Sequence, residues 1–182
     1  MIIFMGVAGA GKSVQGRRLA DELAVPWLST GEFLRMLTSG DTRKDMLSGK
    51  LMNDEEIISL VRKIFAVVDT ENEFILDGFP RTTGQADWLL SQIKYGQLDV
   101  TAIIHISANR EVVKERLLQR GRLDDHDEAI EGRFKEYEEA ILPILEQFKT
   151  ANVAVYDING DRPIEEVHDD IEKALTNRVN VD

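Results

Sequence analysis

Residues 6–13 read GVAGAGKS, the spacing GxxxxGK[ST] of a phosphate-binding loop. No other stretch restricts the fold as much, because this pattern works only where a strand runs into a helix through a tight turn. Both flanks meet that condition. MIIFM before it is an unbroken apolar run suited to a buried parallel strand, and VQGRRLADELA after it has apolar residues at helical spacing. Such a turn aims several backbone N–H groups at one anion-sized space, and its glycines let the backbone close around phosphate oxygens. Lys12 adds a mobile cation for the β- and γ-phosphates, and the Ser13 hydroxyl can hold Mg²⁺. The bland alternative is a glycine-rich turn that binds nothing.

At 182 residues the chain is long enough for one ordinary domain with a sizeable core. Its formal net charge of −11 argues against a nucleic-acid partner. No run reaches membrane-spanning length, and the apolar first residues read as the first strand rather than a leader, so the cytoplasm is the expected compartment. With no cysteine, disulfides, a thiol nucleophile and cysteine-bound zinc are excluded. The three histidines lack metal-ligand spacing, and no zinc is expected.

Apolar runs recur at 1–6, 25–29, 73–77, 100–107 and 153–158, with amphipathic helical stretches between most of them. Alternation of this kind predicts a three-layer α/β fold, a five-stranded parallel sheet with helices on both faces. One interval departs from it. From Ser29 to about Asp69 the signals are helical only, with capping-box starts at Ser29-x-x-Glu32 and Asn53-x-x-Glu56. This predicts a small helical insertion at about 30–60 over the carboxyl edge of the sheet, where ligands bind in such folds. The remaining core is then 1–29 and 61–182. A further helix is expected to start at the box Asp125-x-x-Glu128 and run to about Thr150, bent at Pro143.

Three other segments carry charge in suggestive places. EFILDGFPR (73–81) puts Asp77 at the end of a buried strand, where an acid can hold Mg²⁺ or its waters, although Asp-Gly is also a plain turn signal. Arg81 can fork onto a phosphate or merely solvate a loop. In LSTGEFLR (28–35), Arg35 lies one turn into a helix, an ordinary place for a surface residue. KERLLQRGRLDD carries Arg116, Arg120 and Arg122, then Asp124 and Asp125, with Arg133 on the next helix. Arg116 and Arg120 share a helix face, where like charges repel unless an anion sits between them. The aspartates are placed to orient the guanidiniums.

In order, these segments resemble the adenylate kinase family of nucleoside monophosphate kinases, whose members share the P-loop NTPase fold. The likeness runs through GVAGAGKSVQ, LSTGEFLR, GKLMNDEEIISLV, DGFPRTTGQA, RLLQRGRLDDHDEAIEGR and INGDRPIEEV, nearly the whole chain. It implies the reaction ATP + AMP ⇌ 2 ADP with Mg²⁺. By the same resemblance Gly9, Ala10, Gly11, Lys12, Ser13, Val14, Arg116, Arg120, Gly160 and Arg162 bind ATP. Thr30, Gly31, Arg35, Met52, Gly78, Arg81, Gln85, Arg122 and Arg133 bind AMP. Lys12, Arg81, Arg120, Arg122 and Arg133 surround the phosphates in flight, and Ser13 and Asp77 serve the metal through water.

Thr30 and Gln85 stand where the family reads the acceptor base, and both favour AMP over UMP or CMP. Kinases for another monophosphate, or a nucleotide-binding protein with little turnover, are the alternatives.

The chain also departs from the family pattern. Ser13-Val14 replace the usual Gly-Thr, which displaces the hydroxyl by one position, and Asn53 replaces a proline. Between Arg120 and Arg122 stands Gly121 alone, where relatives insert a flap, so a vestigial lid at about 120–125 is expected. A monomer is expected, with an oligomer as the other way to cover the cleft. A cis bond is expected at Phe79-Pro80.

Overall fold

The computed structural model describes residues 1–47 and 52–179. Five strands form one sheet: β1 (Ile2–Met5), β2 (Trp27–Ser29), β3 (Ile75–Asp77), β4 (Ala102–Ser107) and β5 (Val155–Asn159). Their order is β2-β3-β1-β4-β5, and every pairing is parallel. Each falls on one of the five apolar runs, β5 extending one residue beyond its run to Asn159. The helices between them are α1 (Lys12–Leu23), α2 (Thr30–Leu37), α3 (Gly40–Leu47), α4 (Asp54–Phe65), α5 (Thr83–Lys94), α6 (Arg110–Arg120), α7 (Asp127–Glu136), α8 (Leu142–Thr150) and α9 (Ile164–Val179).

β1 is apolar throughout because both its faces are covered. Ile3 and Met5 point into one cluster with Leu76, Ile103 and residues of α4, α5 and α8. Ile2 and Phe4 point into the other, with Ile75, Ile104 and residues of α1, α6, α7 and α9. Strand order reverses beside β1, so its carboxyl end opens into the crevice where such sheets bind ligands.

The helical interval between β2 and β3 holds α2, α3 and α4. α4 runs to Phe65, past the expected boundary, and buries Ile57, Val61 and Ile64 in the first cluster. Ser29 Oγ accepts from the Glu32 N–H at 3.4 Å, as the first capping box predicts. Asn53 caps α4 differently, accepting from the Glu55 N–H.

Two expectations about the later helix are corrected. Asp125 does not cap α7. His126 does, its Nδ1 accepting from the Ala129 N–H, while the Asp125 side chain is taken by arginines. The helix does reach Thr150, but its irregularity is a π turn at Tyr137–Ile141, where the Leu142 N–H reaches back to the Tyr137 carbonyl. Pro143 follows in the first turn of α8. Its ring has no N–H and crowds the carbonyl four residues earlier, which the wider turn accommodates. The Phe79-Pro80 bond is cis.

Candidate functional site

The loop after β1 closes tightly on the neighbouring strand. Gly6 has φ +136°, and a Cβ there would lie 2.2 Å from the Ile106 carbonyl oxygen. α1 then opens on Gly11, which has no side chain to cap it, whereas Ser29, Asn53, Thr82 and His126 cap α2, α4, α5 and α7. The positive end of α1 is thereby left open to an anion.

Lys12 is not a freely solvated side chain. Its Nζ donates to the carbonyls of Gly6 at 2.8 Å and Val7 at 2.9 Å, spanning the loop. Burial lowers its pKa to about 8; Asp77 opposes that shift, and Arg81 adds to it. Asp77, buried at the end of β3, accepts from the Ser13 hydroxyl at 2.6 Å. Two hard oxygen donors therefore meet at the mouth of the loop.

On the opposite wall, Arg116 Nη1 donates to the Gly160 carbonyl at 2.8 Å. Gly160 is confined there, since a Cβ would come within 2.8 Å of the Ala10 carbonyl oxygen. Arg120 turns the other way. Its Nε and Nη2 donate to Asp125 at 2.8 and 2.6 Å. The like charges of this helix face are thus relieved by separate acceptors. Arg133 Nη1 donates to the same carboxylate at 2.8 Å, and its Nη2 pairs with Asp124. Burial alone would raise the Asp125 carboxyl, but bonds from Arg120, Arg133 and the Arg122 N–H outweigh it and hold the pKa down at about 2. The connection carrying this cluster, residues 121–126, is six residues long, with Gly121 left-handed at φ +63°.

The third wall comes from α2, the segment after β3 and α5. The Thr30 hydroxyl donates to the Gly78 carbonyl at 2.8 Å, so towards the cleft it offers lone pairs only. Arg35 folds over Gly31, its guanidinium 3.4 Å from where a Cβ would stand. Burial lowers the Arg35 pKa, and the nearby charge of Arg122 lowers it further. Gln85, only 3% exposed, uses Oε1 to accept from the Arg81 N–H at 2.9 Å.

Every residue expected to bind ATP, AMP or metal lines one cleft of about 630 Å³. Met52 is among them; Gly49, Lys50 and Leu51 of the same segment lie outside the described residues. The wall holds eight basic side chains against three acidic ones, Asp77, Asp124 and Glu136, in a chain of net charge −11. Such a surplus in one concave site calls for a multiply charged anion. Two contributors escaped sequence reasoning. Glu136 lies 3.6 Å from Arg81 Nε, and its signal was its spacing three residues after Arg133. Asp54 hydrogen-bonds Gln85, and nothing in the sequence marks it apart from other first-turn acids.

The family model for adenylate kinase matches residues 4–153. A relative named adenylate kinase from Corynebacterium urealyticum is 34% identical over 172 residues, covering 91% of this chain and 93% of its own. Another of that name from Leptospira biflexa is 33% identical over 184 residues, covering 96% and 98%. A third, from Archaeoglobus fulgidus, is 29% identical over an alignment of 211 positions, covering 96% and 97%; that alignment is longer than this chain, so this relative holds residues the chain lacks. With the parallel sheet, the phosphate loop and the cation-lined cleft, these matches make the chain a member of the adenylate kinase family, a phosphotransferase of the nucleoside monophosphate kinase type.

Proposed function

We propose that the cleft binds ATP along the loop and Arg116, binds AMP between α2 and α5, and transfers the γ-phosphoryl group between them. The observation that carries this reading is the convergence of Lys12, Arg81, Arg120, Arg122 and Arg133 on one cleft with too few acids to neutralise them. Phosphoryl transfer needs in-line positioning and charge neutralisation rather than a general base. In this reading Lys12 leaves the Gly6 and Val7 carbonyls for the transferring phosphoryl group. Arg35 and Arg81 grip the monophosphate, and Gly160 and Arg162 border the ATP base. Asp124 and Asp125 hold Arg120 and Arg133 in place before substrate arrives.

Ser13 and Asp77 fit a magnesium ion or its waters, being adjacent oxygen donors beside the phosphate loop. Bound there with ATP, Mg²⁺ supplies further neutralisation of phosphate charge. No helix among the described residues is long and apolar enough to cross a membrane. We take the working form to be a cytoplasmic monomer.

A coupled assay of ADP formation from ATP across AMP, CMP, UMP and GMP tests the proposal. AMP is expected to be the best acceptor. Gln85→Ala should weaken that preference by roughly 1–3 kcal/mol, the range for leaving a hydrogen-bonding edge unpaired. Faster turnover of CMP or UMP than of AMP would overturn the acceptor assignment, and binding of ATP with no turnover would reduce the chain to a nucleotide-binding module.

A further inference from the structure

Asp54 stands in the first turn of α4, and its carboxylate lies over the start of α5. Its Oδ1 accepts from the Thr82 hydroxyl at 2.8 Å and from Gln85 Nε2 at 2.9 Å. Its Oδ2 packs so close to Gly84 that a Cβ there would be 2.6 Å away. The opposite end of the same amide accepts from the Arg81 N–H.

Both partners have a fixed polarity. An N–H can only donate and a carboxylate can only accept, so the Gln85 amide has one allowed orientation. Turning it over would set its carbonyl against the carboxylate and its NH₂ against an N–H. An amide has two lone pairs and two protons, and this network uses one of each. One acceptor and one donor, in a fixed order, remain for the cleft that Gln85 lines.

We propose that Asp54 is a specificity-determining positioning residue: by locking the Gln85 amide, it makes the site read a 6-amino purine and refuse a 6-keto one. The inference rests on the reading of Gln85 as the acceptor-base residue. An adenine edge offers an amino donor beside a ring-nitrogen acceptor. A hypoxanthine edge of the same shape offers a carbonyl acceptor beside an N–H donor. A fixed amide pairs with the first only, whereas a freely turning one pairs with either.

The test compares kcat/KM for AMP and for IMP in the wild-type chain, in Asp54→Ala and in Asp54→Asn. Asp54→Ala should lower the AMP-to-IMP preference roughly tenfold, the weight of about one hydrogen bond, mainly through KM rather than kcat. Asp54→Asn keeps an accepting oxygen towards Thr82 and Gln85 and should retain the wild-type preference. Should Asp54→Ala fail to fold, Asp54→Ser carries the same expectation, because its side chain is polar but too short to reach Gln85. A purely structural role would lower thermal stability and scale both acceptors alike, so an unchanged preference in Asp54→Ala overturns the inference. Loss of preference in Asp54→Asn would also overturn it, since charge rather than orientation would then be responsible. If the wild-type chain itself does not favour AMP over IMP, the acceptor reading fails first and this inference falls with it.

Discussion

Arg120 and Asp125 form a two-point pair, Nε to Oδ2 at 2.8 Å and Nη2 to Oδ1 at 2.6 Å, across the short connection between α6 and α7. The carboxylate side chain is fully buried, and Arg133 shares it. A fork of this kind fixes the plane of the guanidinium as well as its place. The pair therefore sets the direction in which one end of the cleft presents its charge.

Replacing Asp125 should cost both stability and rate. Its carboxyl is held at about 2 in the folded chain, below the ordinary aspartate value. A depressed acid adds stability that is fully present above the unfolded pKa and lost as pH falls through the folded one. Asp125→Asn should thus be less stable than wild type by about 2 kcal/mol at neutral pH, with the difference fading between about pH 4 and pH 2. Urea unfolding of both proteins at several pH values measures it. A constant difference down to pH 2 would assign the loss to packing.

Lys12→Met separates catalysis from folding. Loss of a cation aimed at developing phosphate charge should lower kcat by at least about 10²–10³-fold. Stability of the nucleotide-free protein should stay level or rise, although two hydrogen bonds to the loop are lost. The reason is the lowered pKa of about 8: the folded state disfavours the charged form, so at neutral pH the lysine works against folding. A marked drop in Tm would contradict this.

The same lysine links nucleotide binding to protons. Near pH 8 Lys12 is partly neutral in the loop, and a bound triphosphate should draw the proton back on. Calorimetric titration with ATP in buffers of different ionisation enthalpy should show proton uptake growing from pH 7 to pH 8.5. Uptake should vanish in Lys12→Met. Equal uptake in both proteins would place the titrating group elsewhere.

The six-residue connection between α6 and α7 limits what can close over ATP. Kinases commonly exclude water with a closing segment, and here the cluster comes from helix ends instead. Slow phosphate release from ATP in the absence of AMP is expected for the monomer. No detectable release, with ATP bound as tightly as in relatives that carry a flap, would show that such a segment is dispensable for shielding.

Much of this site was legible because its chemistry is written in short contiguous segments. Residues 6–13 announce a strand, a turn and a helix together, and Asp77 ends an apolar run that becomes β3, paired directly with β1. What escaped depends on long-range packing. The Asp54 contact joins two helices 31 positions apart, and no local pattern distinguishes it from a helix-start acid. The Asp125 misreading has a different origin. By residue type Asp125 is the natural cap, but two arginines compete for a carboxylate more strongly than a backbone N–H does, and the cap passes to His126. The Lys12 contacts are equally hidden in the sequence, since they arise from the Gly6 and Val7 carbonyls turning inward and needing a donor.

The π turn at Tyr137–Ile141 has a mechanical meaning. α7 buries Ile130 and Phe134 on one side of the sheet, and α8 buries Ile144, Leu145 and Phe148 on the other. A regular helix would keep one phase along its whole length. One surplus residue per turn shifts that phase by about 100°, so the two ends of the rod face different ways. Arg133 and Glu136 line the cleft from α7, just ahead of this turn. Excising a single residue, such as Glu139, would restore regular winding and set the two buried faces out of register, so that α7 and α8 could no longer both pack on their own sides of the sheet.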